Sequence, residues 1–314
     1  MKFEKHGARL RTMTVAGLAS VVALTAAASV AKAAPVTFSF SPGSASTPLG
    51  GSTPTQIAND AIVGANNYNV ADFSAITINT TTGAFTEVGA LNILNFLNGG
   101  STVTANGLGS AGNGSTGYSL YLSFNATGTQ GPIPTTAGGV ASGVFTGLTY
   151  ELIGTTQPSP PLAFNVTNGG LSITDAGPNQ VLAYGSLVPN TGFIGLTNTG
   201  TGDPAHTLSP SANLNLTFNE CLAAGQGGFC TSNESGFFTS PAAGLNLQVG
   251  NFSANTTVTT FTGPTTTGGN AFLNLVGGAG NLTFVTPVPE PGTMGVIAVG
   301  LIGLAAAVRR RSAL

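Results

Sequence analysis

The chain has 314 residues, with 8 Lys and Arg against 10 Asp and Glu, and no Trp. All of the basic residues stand near the ends: Lys2, Lys5, Arg9, Arg11 and Lys32, then Arg309, Arg310 and Arg311. Residues 34–288 therefore hold neither Lys nor Arg and carry a charge near −8. Such a surface repels phosphate backbones and excludes nucleic-acid partners.

The N-terminus reads as a secretory signal peptide over residues 1–33. Four basic residues form its positive start, and an apolar stretch follows at 15–30. Ala31-Lys32-Ala33 then supplies a small-x-small site, so signal peptidase is expected to cut before Ala34. The apolar stretch is short and leads straight into that site, which argues against a permanent anchor.

The body, residues 34–286, is rich in Gly, Thr, Asn, Ser and Ala, with scattered Phe, Leu and Val. Low charge with many small polar residues also fits disorder, but here the apolar residues are periodic. Residues 36–40 alternate and predict a first strand. A Ser/Pro/Gly loop follows at 41–54, then strand candidates at 68–73 and 75–79. Thr80-Thr81-Thr82-Gly83 is a turn. Residues 84–97 are the longest apolar-rich run and read as a strand or a short helix between strands. Residues 98–117 read as a long loop or lid, and 118–124 as a strong strand. Further strands are expected at 144–153, 162–166, 171–173, 181–188 and 193–196.

The last third of the body alternates most cleanly. Leu214, Leu216 and Phe218 share one face, while Asn213, Asn215 and Thr217 share the other. Residues 245–249, 256–261, 273–276 and 282–285 continue the pattern. Half-buried strands between Gly/Asn/Thr turns predict an all-β fold, an antiparallel β-sandwich of jelly-roll-like form in a single large domain.

The tail, residues 287–314, has three parts. Val288-Pro289-Glu290-Pro291-Gly292 is extended by its prolines, which fix φ and disfavour helix before them. Residues 293–308 are uncharged and long enough for a short transmembrane helix. Arg309, Arg310 and Arg311 form the basic stop, which stays on the cytoplasmic side. This order resembles the PEP-CTERM sorting signal of Gram-negative bacteria. The resemblance implies recognition by exosortase, a membrane-embedded cysteine protease and transpeptidase. It also implies export through the inner membrane, a transient anchor in it, and release to the cell surface or extracellular matrix.

Chemistry is sparse in the body. Cys221 and Cys230 enclose a short glycine-rich loop, and export to an oxidising compartment predicts a disulfide. No cofactor or metal site is marked. A Ser-His-Asp triad has only His206 to centre on, in a stretch that reads as a surface turn. The eight carboxylates are Asp60, Asp72, Glu87, Glu151, Asp175, Asp203, Glu220 and Glu234, and nothing in the sequence marks two of them as a pair. The body is also similar to some PEP-CTERM proteins associated with flocculation, through Phe38-Ser39-Phe40, Tyr118-Ser119-Leu120-Tyr121 and Phe237-Phe238-Thr239-Ser240-Pro241. That likeness implies a structural or adhesive, non-enzymatic role in an exopolysaccharide-associated biofilm or floc, with extracellular polysaccharide as partner. Two alternatives remain. A carbohydrate-binding module would expose aromatics such as Tyr68, Tyr118 or Tyr150. A carboxylate-dependent glycoside hydrolase would place two carboxyls side by side in a cleft.

Overall fold

Alternation of apolar and small polar residues produces long antiparallel strands. The computed structural model describes residues 35–45, 62–105, 107–109, 117–157, 162–174, 179–200, 208–234, 236–240, 245–250, 258–263 and 268–287. In chain order the strands are β1 (Phe38–Phe40), β2 (Ile62–Ala65), β3 (Asn67–Asn79), β4 (Ala84–Asn98), β5 (Ser101–Val103) and β6 (Gly117–Gln130). They continue with β7 (Val140–Gln157), β8 (Ala163–Thr167), β9 (Gly170–Thr174), β10 (Asn179–Ser186), β11 (Phe193–Asn198) and β12 (Leu208–Thr217). The last are β13 (Asn219–Glu220), β14 (Phe238–Ser240), β15 (Asn246–Gly250), β16 (Val258–Thr262) and β17 (Asn270–Val285).

The fold is all-β and antiparallel, as expected. The run at 84–97 is strand throughout, which removes the helical reading. Segments that read as separate strands join: 68–73 with 75–79 in β3, and 273–276 with 282–285 in β17. In β17 the join crosses a bulge at Gly277, whose φ of 76° suits glycine.

Strand pairing joins what the sequence presents as separate layers. The largest sheet runs β11-β12-β15-β17-β3-β4-β6-β7, and β11 also pairs back onto β7. Phe193 in β11 is thus opposite Asn213 of β12 on one side and Val144 of β7 on the other. These eight strands form a closed antiparallel ring, and closure leaves no edge within it to pair with another chain. β10 lies along the other half of β7, and Leu187 just beyond it bridges to Leu216 of β12.

The inward face of the ring is the main core. Val70 and Ile76 from β3, Leu91 and Ile93 from β4, Leu120 and Leu122 from β6, and Leu214 and Leu216 from β12 are all buried there. At one end β1 pairs with β2 and β14, placing Phe38 and Phe40 among Tyr68, Phe96, Phe237 and Phe284. Ring centroids 4.5–5.0 Å apart mark tilted, edge-on and stacked contacts, each adding a fraction of a kcal/mol to about 1.5 beyond area burial.

A second, smaller core sits on the outer face. The β8–β9 hairpin lays Phe164 against Phe73 and Tyr121, with centroids at 4.6 and 5.8 Å. Asn168 at its turn accepts a hydrogen bond from Asn274. Among the described residues no helix is long and apolar enough to cross a membrane. The apolar runs at 15–30 and 293–308, read as signal and transmembrane helices, lie outside the described residues.

Candidate functional site

The turn after β3 sets the geometry of the interior. Asn79 Oδ1 accepts hydrogen bonds from the backbone N–H groups of Thr81 and Thr82, each 3.0 Å. Gly83 closes the turn by donating to the Asn79 carbonyl at 2.8 Å, with φ 72°. A side chain at Gly83 would also meet the Gln130 carbonyl oxygen at 2.2 Å, so glycine is required twice over. This turn pins the register of β3 on β4: Ile76 faces Glu87, Ser74 faces Gly89 and Asp72 faces Leu91. Asp72, Ser74 and Ile76 alternate with partly exposed or differently facing neighbours and point inward.

The register brings three polar groups together inside an apolar ring. Asp72 and Glu87 are each 8% exposed and Ser74 is 0% exposed. Both carboxyls line an interior cavity of about 60 Å³, otherwise walled largely by apolar side chains such as Leu122, Phe145, Leu148, Ile194 and Leu275. Gly89 lets the Phe124 ring and Ser74 pack closely over β4: a Cβ there would lie 2.7 Å from Ser74 Cβ and 2.3 Å from the Phe124 ring.

Burial sets the electrostatics. Loss of water disfavours a charged carboxylate, and it raises Glu87 to about 7. Asp72 is pushed well above the usual carboxylate range, first by burial and then by the neighbouring Glu87. The Ser74 hydroxyl lies close enough to both to favour their charged forms, but burial outweighs it. Asp72 Oδ1 is left without a hydrogen-bond partner. No Lys or Arg between residues 34 and 288 can supply a counter-charge.

Nothing in the sequence marks two carboxylates as a pair, and the fold makes Asp72 and Glu87 one. The signal was present but faint. Asp72 and Ser74 interrupt an inward-facing row that otherwise reads Tyr68, Val70, Ile76 and Ile78. Only the hairpin register shows that Glu87 joins them.

Other expectations fall out as follows. Cys221 and Cys230 form a disulfide with Cα atoms 5.4 Å apart. It packs with Tyr121, Ile153 and Val181 in the outer core. Glu220, next to Cys221, is raised to about 7 by burial. Tyr68, Tyr118 and Tyr150, expected as exposed aromatics of a sugar-binding face, are instead 2%, 0% and 2% exposed. They are inward residues of β3, β6 and β7, and the Tyr150 hydroxyl donates to the Thr217 carbonyl at 2.9 Å. Phe38, Phe40, Phe237 and Phe238, two of the fragments behind the flocculation likeness, converge in the aromatic end of the core. His206, Asp60, Asp175 and Asp203 lie outside the described residues, as do Ala31, Ala33 and Ala34, residues 288–292, and Arg309, Arg310 and Arg311.

Comparison with known proteins bears on the tail. Residues 287–311 match the family model described as the PEP-CTERM protein-sorting motif. No curated protein and no solved structure matches the chain. The motif implies exosortase processing, with secretion, C-terminal membrane-anchored sorting and then surface or extracellular placement. Its elements are those singled out above: a proline-bracketed glutamate, an uncharged apolar run and a terminal arginine cluster. The chain thus ends, over residues 287–311, in a PEP-CTERM protein-sorting motif.

Proposed function

We propose that the mature body is a non-enzymatic structural or adhesive protein of the exopolysaccharide matrix of a Gram-negative bacterium, acting in biofilm or floc formation. The observation that carries this reading is the charge map. Removal of both ends strips every Lys and Arg from the molecule and leaves a Ser/Thr/Asn/Gly-rich body. Such a surface offers many neutral hydrogen-bond donors and acceptors to polysaccharide hydroxyls, each contact weak and the sum large.

The two alternatives gain less support. A binding module loses the three tyrosines it would present, since all are buried. A glycoside hydrolase needs its carboxyl pair open to a sugar. Asp72 and Glu87 instead face a cavity of about 60 Å³, against roughly 300–1,000 Å³ for small-molecule sites.

The test is deletion of residues 289–314 in the native host, followed by fractionation and an aggregation assay. The truncated protein is expected to miss the cell surface and the cells to aggregate less. Unchanged placement together with unchanged aggregation would overturn the reading. Lost surface placement with normal aggregation would overturn the adhesive role alone.

A further inference from the structure

We propose that the outward face of β7, β11 and β12 is a binding surface for a neutral polysaccharide, centred on Phe193. β11 alternates so that Ile194 and Leu196 are buried in the ring while Phe193 stands 59% exposed. Every other described aromatic side chain is buried or half-buried. Phe193 does not stand alone, because its register partner on β7 is Val144, 41% exposed on the same face. One pleat repeat along the strands, about 7 Å away, Gly195 lies between Ser142 of β7 and Ser211 of β12. Both serines are exposed. A Cβ on Gly195 would meet Ser211 Oγ at 2.7 Å, so the Ser211 hydroxyl takes the space a side chain would fill. Asn213, the partner of Phe193 on β12, adds an exposed amide.

The chemistry of this face selects its occupant. A pyranose ring has a face of C–H groups and a rim of hydroxyls. The π-face of Phe193 is negative and attracts those C–H groups, while Ser142, Ser211 and Asn213 supply donors and acceptors for the rim. A strand from another protein has no place here, because β11 is already paired on both sides and offers no edge. Other protein surfaces fit less well, since interface cores favour Arg, Met and large aromatics and are depleted in Ser. A second copy would bring together two bodies of charge near −8, with no Lys or Arg in residues 34–288 to offset it. The same charge disfavours an acidic polysaccharide and leaves a neutral one. The inference rests on the matrix reading above and names the surface through which it acts.

The experiment is affinity electrophoresis of the full chain, held in a polyoxyethylene detergent that carries no sugar. The native gels contain the host's own extracellular polysaccharide, separated on an anion exchanger into neutral and acidic fractions. The neutral fraction is expected to retard the wild type. Phe193→Ala should raise the half-saturating polysaccharide concentration about tenfold or more, while Phe193→Tyr stays within about twofold. Ser142→Ala/Ser211→Ala should bind roughly fivefold more weakly. Val63→Ser removes an exposed apolar side chain from β2, away from this face, and should bind as the wild type does. Should Phe193→Ala fail to fold, the serine pair and Val144→Ser carry the test. Retardation of Phe193→Ala equal to that of wild type overturns the site and leaves the matrix reading standing. A wild type that neither fraction retards overturns both. Binding to the acidic fraction alone overturns the assignment to a neutral sugar. An equal loss in Val63→Ser shows general apolar adhesion and overturns the site as well. A wild-type dimer on size exclusion that Phe193→Ala converts to monomer gives the face to a second copy instead.

Discussion

Gly89 and Phe124 are cross-strand partners on β4 and β6, and the Phe124 ring occupies the space that a side chain at residue 89 would fill. A Cβ at Gly89 would stand 2.3 Å from Phe124 Cζ. Gly89→Ala is therefore expected to destabilise the body by about 1–3 kcal/mol through overpacking. Chemical denaturation checks this, and a midpoint equal to wild type would show that the ring yields freely. Ser74 is the other neighbour of this position, so the same variant also disturbs the carboxyl chamber.

Stability should fall as pH rises. Glu87 goes from an ordinary value of 4.5 to about 7 in the fold, and Asp72 is raised as well. The folded state therefore binds more protons than the unfolded state, which makes the slope of stability with pH negative. The Glu87 contribution is complete below about pH 4 and is lost as pH climbs through about 7, and Asp72, raised by burial, acts in the same direction. Glu87 alone accounts for about 3 kcal/mol over that window, at about 1.4 kcal/mol per pH unit. Glu151 and Glu220 are also raised by burial and act in the same direction. Melting in buffers from pH 4 to 8 should show a decline in wild type that is clearly shallower in Glu87→Gln.

Opening the disulfide should weaken the body without abolishing the ring. Cys221 and Cys230 are nine positions apart, and a loop of that size contributes about 2–3 kcal/mol in the chain-entropy picture. The bridge stands in the outer core, away from the inward face. Cys221→Ser/Cys230→Ser is expected to melt lower while keeping the β-sheet circular dichroism spectrum of the parent. Loss of that spectrum would place the bridge at the centre of folding.

Tyr150→Phe isolates one interior hydrogen bond. The hydroxyl donates to the Thr217 carbonyl across the ring, from β7 to β12, at 2.9 Å. Gly185 lets the ring pass, since a Cβ there would meet Tyr150 Cε1 at 2.5 Å. Removing the hydroxyl leaves an acceptor short of a partner and should cost about 1–2 kcal/mol. Denaturation midpoints measure this, and no change would mean that Thr217 finds another donor.

The sequence alone carried the ends and the strand character. The Pro-Glu-Pro tail and the confinement of every Lys and Arg to the first 33 and last six residues are local facts of composition and order, and residues 287–311 match the sorting motif the tail suggested. Period-two alternation was enough to identify most strands, because facing one side of a sheet is a property of a single segment. Closure was not legible, because it rests on β11 meeting β7, segments some fifty residues apart along the chain. The burial of Tyr68, Tyr118 and Tyr150 escaped notice for a related reason: alternation says that a face exists but not which face turns inward. The meeting of Asp72, Ser74 and Glu87 depends on one hairpin register set by Asn79 and Gly83 and on a ring that removes them from water. Position in three dimensions, rather than residue type, makes those two carboxyls a pair.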